Sequence, residues 1–183
     1  MSISIPDVAG QRDGLLDQSF DGRGLVRWAH DLVEAAAATV GFQADVRVGT
    51  SPGEWSVEAR TAGRPVLLVD VGTDGLDQAS LDRLELRAAH VWRDLTRDAA
   101  SFEPRPWIGV IRVTEKDAIE AVGVERIRRL VASRTLDAAC VVALDRPART
   151  VRSPNPVTSI ESFAAALTGH CLVLSTGDSA TAR

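Results

Sequence analysis

At 183 residues, with a formal net charge of −4, 25% charged and 45% hydrophobic residues, the chain has the make-up of one soluble globular domain with a core of its own. No apolar run approaches the roughly 20 residues of a membrane span, and the opening Met1-Ser2-Ile3-Ser4-Ile5-Pro6-Asp7 lacks the basic and apolar blocks of a secretion signal, so a cytoplasmic protein is expected. Cys140 and Cys171 lie in apolar runs and read as buried free thiols, with pairing as the alternative; no further Cys or His stands at zinc-ligand spacing.

Residues 1–21 are polar, Gly- and Asp-rich and weakly periodic, an irregular lead-in. From Gly22 the pattern turns helical: Leu25, Trp28, Ala29, Leu32, Ala36 and Val40 form one stripe, and Gly41 supplies a C′ stop. A short strand over 44–48 and a turn through Thr50-Ser51-Pro52-Gly53 follow. Trp55–Arg60 and Pro65–Val71 are β-like runs flanking Thr61-Ala62-Gly63, which fits a three-residue hairpin loop ending on a left-handed glycine. Counting from that loop pairs Arg60 with Arg64 and carries Glu54 opposite Asp70. A two-residue loop would put Trp55 there instead.

Asp77 or Ser80 caps the next helix, whose stripe is Leu81, Leu84, Ala88, Val91, Trp92, Leu95 and Ala99. Pro104 and Pro106 close the connection, and the β-branched run Trp107–Val113 predicts a buried strand. Thr114 with Asp117 reads as a capping pair opening a helix to about Ser133, weakened at Gly123. Ala138–Leu144 is another buried strand. Asp145–Val157, with Pro147, Pro154 and Pro156, reads as a loop without structure of its own. Thr158-x-x-Glu161 is a capping box for a short helix to about Thr168, then come a last strand His170–Ser175 and a flexible tail over 176–183. The order α-β-β-β-α-β-α-β-α-β predicts a single α/β domain over 22–175. It should be a three-layer α/β/α arrangement whose mixed central sheet has five to six strands and one β-hairpin.

Acidic residues end the second hairpin strand, Val69-Asp70-Val71-Gly72-Thr73-Asp74. The leading helix, the hairpin with its Gly-Arg-Pro-Val-Leu-Leu-Val segment, and the helix and strand after it together resemble the core of PD-(D/E)xK, or restriction-endonuclease-like, nucleases. The likeness covers Gly22–Val113, and Val157–Phe163 looks like the ending of some members. In that family an acid from the first strand and an acid-x-lysine from the second hold Mg²⁺ and a water that attacks the phosphodiester. The resemblance implies Glu54 as the first acid, Asp70 as the second, and Glu34 as the extra acid some members carry on the first helix. Gly72 stands where the lysine belongs, and the chain has one lysine, Lys116. Glycine brings neither donor nor charge. The implied protein therefore keeps the fold and has a degenerate active site, with no cofactor, or with Mg²⁺ at Glu54 and Asp70 if active.

Other motifs are weaker. Asp70-Val71-Gly72-Thr73 matches the phosphate loop of actin-like ATPases, but a helix follows it instead of a returning strand. His30, His90 and His170 are scattered, no Gly-x-Ser-x-Gly elbow places a nucleophile, and there is no Gly-rich phosphate loop. Trp28, Trp55, Trp92 and Trp107 fall on apolar stripes or strands and read as core.

Charge is unevenly placed. From Glu125 to Arg152 seven arginines face three acids, a local net of +4 that leaves −8 for the rest of a chain totalling −4. Arg126 and Arg129 share a helix side, and Arg149 and Arg152 lie in the Pro-rich loop; these four are the candidate anion-binding residues, with a solvated surface as the plainer reading. The expected function is a degenerate nuclease-like domain binding nucleic acid or an acidic protein partner in bacterial DNA processing or defence. Its alternatives are an active Mg²⁺-dependent endonuclease with a displaced catalytic residue, and a protein-interaction or homo-oligomerisation domain.

Overall fold

A computed structural model of the chain describes residues 16, 22–38, 44–48, 55–61, 64–73, 75–97 and 107–178. Helix α1 (Gly22–Ala38) leads into strands β1 (Ala44–Val48), β2 (Trp55–Thr61) and β3 (Arg64–Gly72). Helix α2 (Gln78–Arg97), strand β4 (Trp107–Glu115), helix α3 (Ala121–Ala132) and strand β5 (Ala138–Asp145) follow. Strand β6 (Thr150–Arg152) and helix α4 (Ile160–Asp178) complete the order. One six-stranded sheet runs β1-β2-β3-β4-β5-β6. Neighbours β1, β2 and β3 are antiparallel, β3, β4 and β5 parallel, and β5 and β6 antiparallel, so the sheet is mixed and the protein α/β.

Four sequence expectations need correction. The strand expected at His170–Ser175 is helix: α4 runs on to Asp178, past Gly169 and into the stretch read as tail. Its buried stripe Ile160, Phe163, Ala164, Leu167 and Cys171 keeps helical spacing through that glycine. The sixth strand is β6, inside the Pro-rich segment read as unstructured. Thr114 caps no helix, because it is buried in β4 opposite Ala143; α3 starts later, after a 3-10 turn over Lys116–Ala118. At α4 the cap is Ser159, whose Oγ accepts from the Ser162 N–H at 3.0 Å, one residue beyond the expected Thr158. Asp77 does cap α2, accepting from the Ser80 N–H at 2.8 Å.

Successive strand residues face opposite sides of a sheet, and β4 and β5 divide their side chains accordingly. Ile111, Val113, Cys140 and Val142 join a core cluster with Leu25, Trp28 and Leu32 of α1 and Phe163 and Leu167 of α4. Val110, Ala139 and Val141 join a second cluster with Leu81 and Leu84 of α2 and Val124 and Ile127 of α3. Trp107 and Phe163 meet edge to face, ring centroids 5.3 Å apart. In α3, Gly123 marks a close approach: a Cβ there would lie 2.1 Å from the Leu76 carbonyl oxygen. Cys140 and Cys171 are both free and buried. Among the described residues, no helix is long and apolar enough to cross a membrane.

Candidate functional site

The hairpin register decides what stands beside Asp70. Thr61 pairs with Arg64, leaving residues 62–63 between them, and the register shifts between Ala59 and Arg60, so that Arg60 faces Pro65 while Ala59 faces Leu67. Pro65 has no N–H for the ladder, and a bulge beside a proline is a usual accommodation. The outcome is Asp70 opposite Ser56 and Val71 opposite Trp55. The three-residue loop and the facing of Glu54 by Asp70 are thereby overturned. Glu54 itself lies outside the described residues.

Val69 and Val71 enter the first core cluster, and Asp70 between them has the opposite side of the sheet and is half-buried. Across the parallel boundary, Asp70 is level with Val110 and Gly72 with Arg112. Arg112 is the one charged residue in the buried run of β4, and its side chain is only 3% exposed against 21% for Asp70. Its Nη2 donates to Asp70 Oδ2. Its Nη1 donates to the Ile111 carbonyl at 3.0 Å and reaches the Asp70 carbonyl at 3.5 Å. A buried guanidinium without such partners would be strongly destabilising, so the carboxylate and carbonyls are what make Arg112 tenable here. A Cβ on Gly72 would meet Arg112 Cζ and Nη1 at 3.2 Å and Nε at 3.4 Å. The position where the resemblance expects lysine is thus roofed by an arginine from the next strand. Sequence reading passed over Arg112, although a lone cation in an apolar strand was the signal.

The other candidate acid, Glu34, lies 3.1 Å from His30 Nε2, one turn earlier on α1. Among the described residues, no group of three or more His, Cys, Asp or Glu side chains could hold a metal ion. Lys116 pairs with Asp145 at 3.1 Å. The Asp145 carboxyl is held below the usual range by the Ala148 backbone N–H first and by Lys116 next.

The arginines of the basic segment are largely engaged. Arg126 bonds Glu85 at 2.5 Å and Asp82 at 2.7 Å, both on α2. Arg128 and Arg129 lie 3.4 Å and 3.6 Å from Glu125, one turn back on α3. Arg146 pairs with Glu115 at 2.7 Å. Arg129 keeps a side chain 78% exposed; Arg149, at the turn before β6, and Arg152, within β6, are also exposed. Arg126 and Arg129 therefore do not act as one open pair. α3 packs against α2 and β5, and β6 against β5. No family model and no curated protein matches this chain.

Proposed function

We propose that this chain is a restriction-endonuclease-like domain, three layers deep, with a degenerate catalytic centre, serving as a binding module for nucleic acid or a protein partner in DNA processing or defence. Support for the fold is the run of helix, antiparallel hairpin, helix and parallel strand from α1 to β4, with core clusters fed by different helix pairs. The observation that carries the degenerate reading is the Asp70–Arg112 pair over Gly72. In a working centre the second acid's charge is met by a divalent ion, and a mobile lysine meets the water. Here a fixed, buried guanidinium meets that charge, and it is covered too well to reach a scissile phosphate. Arginine is also effectively always protonated and cannot accept a proton.

The test uses purified protein, supercoiled plasmid and Mg²⁺ or Mn²⁺. No cleavage is expected, and calorimetric titration should find no metal binding that depends on Asp70. Metal-dependent cleavage lost in Asp70→Ala would establish instead an active Mg²⁺-dependent endonuclease with a displaced catalytic residue.

A further inference from the structure

We infer that the outer edge of β1 is a contact between two copies of this chain. β1 of one copy pairs antiparallel with β1 of the other about Val46, which sets Asp45 of each chain opposite Arg47 of the second copy. The two six-stranded sheets thereby continue into one. The inference stands apart from the nuclease-like reading above.

β1 ends the sheet order, and among the described strands it pairs with β2 alone. At the opposite edge β6 has three residues against five for β1, and offers a shorter template. Val46 is in register with Val57, which is buried in the core cluster under α1. Alternation then places Ala44, Val46 and Val48 on the α1 side of the sheet, and Asp45 and Arg47 on the other. Within the chain Asp45 is in register with Glu58, and two acids directly opposite each other destabilise a ladder. A cation on the outer side of β1 offsets this. A second β1 brings one, because the order Asp45-Val46-Arg47 is complementary to its own reverse. Charges on an edge strand usually deter pairing; in this order they select one register. A slip by one residue sets a charge against Val46, and a slip by two sets Asp45 against Asp45 or Arg47 against Arg47. A two-fold axis normal to the sheet satisfies both charge pairs at once, as a self-complementary contact requires.

Sedimentation equilibrium of the full chain from about 1 to 200 µM tests this; five residues a side make a small interface, so a micromolar contact is expected. The mass should rise with concentration toward that of a dimer. Asp45→Arg alone or Arg47→Asp alone sets like charges opposite each other twice, and should weaken association on the order of 100-fold. Both variants should keep the fold, because position 45 then faces Glu58 with opposite charge and position 47 faces Ser56. An equimolar mixture of the two variants should associate again, as each arginine meets an aspartate of the other chain. Asp45→Arg/Arg47→Asp in one chain should restore the homodimer. A wild type that stays monomeric overturns the inference and leaves the edge to the lead-in or to another protein. A dimer that Asp45→Arg leaves intact, or a mixture that fails to associate, overturns it as well.

Discussion

Arg126 on α3 bridges two carboxylates of α2, donating from Nε to Glu85 at 2.5 Å and from Nη2 to Asp82 at 2.7 Å. Glu85 first and Asp82 second raise its pKa further above arginine's already high value. Arg126, one of the four candidate anion-binding residues read from sequence, thus clamps two helices. Arg126→Ala should lower Tm by a few degrees, roughly 2–4 °C, with the loss shrinking at high salt as the exposed carboxylates are screened. An unchanged melting temperature at low salt would place this clamp among the surface pairs that contribute nothing.

The same engagement sorts the four candidate anion-binding residues. If Arg129, Arg149 and Arg152 meet phosphates and Arg126 does not, DNA affinity should fall with salt at a log–log slope of about −3, near −0.9 per contact. Arg129→Ala should reduce that slope by about one, and Arg126→Ala should leave it alone. Fluorescence anisotropy with a labelled duplex across a salt series reads both. A slope that drops equally for the two variants would mean that Arg126 abandons its carboxylates for phosphate. Absence of binding at low salt would move the partner to an acidic protein or a second copy, which sedimentation at two ionic strengths separates.

Most of the architecture was legible because its signals are local. The stripe of Leu25, Trp28, Ala29 and Leu32 gave α1, and the unbroken apolar runs gave β4 and β5. His170–Ser175 misled because a short apolar run has no period of its own. A Cβ at Gly169 would meet nothing within 4 Å, so no close approach requires glycine at that point of α4. Thr114 misled because a capping signature is local and strand pairing with Ala143 is not. The Asp70–Arg112 pair spans 42 residues and depends on the β3–β4 register, which no local pattern specifies. Chemistry still offered a hint, since an arginine amid Ile111 and Val113 needs a buried acceptor.

Arg134 holds a left-handed backbone, φ 58°, just past α3. Its N–H donates to the Val131 carbonyl at 3.1 Å and the Thr135 N–H to the Leu130 carbonyl at 3.0 Å, the paired bonds of a Schellman ending whose C′ position favours glycine. Arg134→Gly should therefore stabilise the domain by about 1 kcal/mol, the left-handed penalty minus glycine's extra unfolded freedom. Urea denaturation should show a higher midpoint at unchanged m-value. A lower midpoint would mean that the side chain of Arg134 contributes more than the strain costs.

Cys140 and Cys171 lie in the same core cluster as free thiols. Burial pushes both thiols up, Cys171 to about 11, and the charge of Glu161 adds to the effect at Cys140. Unfolded, each thiol ionises near its ordinary value of 9.0. Above pH 9 the unfolded chain therefore binds fewer protons than the folded one, and stability falls as pH rises. The thiol contribution is intact below about pH 9 and lost progressively through pH 11, with a limit of about 1.4 kcal/mol per pH unit for each thiol. This chain suits the measurement because it has no tyrosine and one lysine, so few other side chains titrate in that window. Urea midpoints from pH 7 to 10.5 should decline above pH 9 in the wild type and much less in Cys140→Ala/Cys171→Ala. At pH 8 a thiol reagent should modify neither cysteine in the folded protein and both after denaturation. An equally steep alkaline decline in the double variant would assign the loss to other groups.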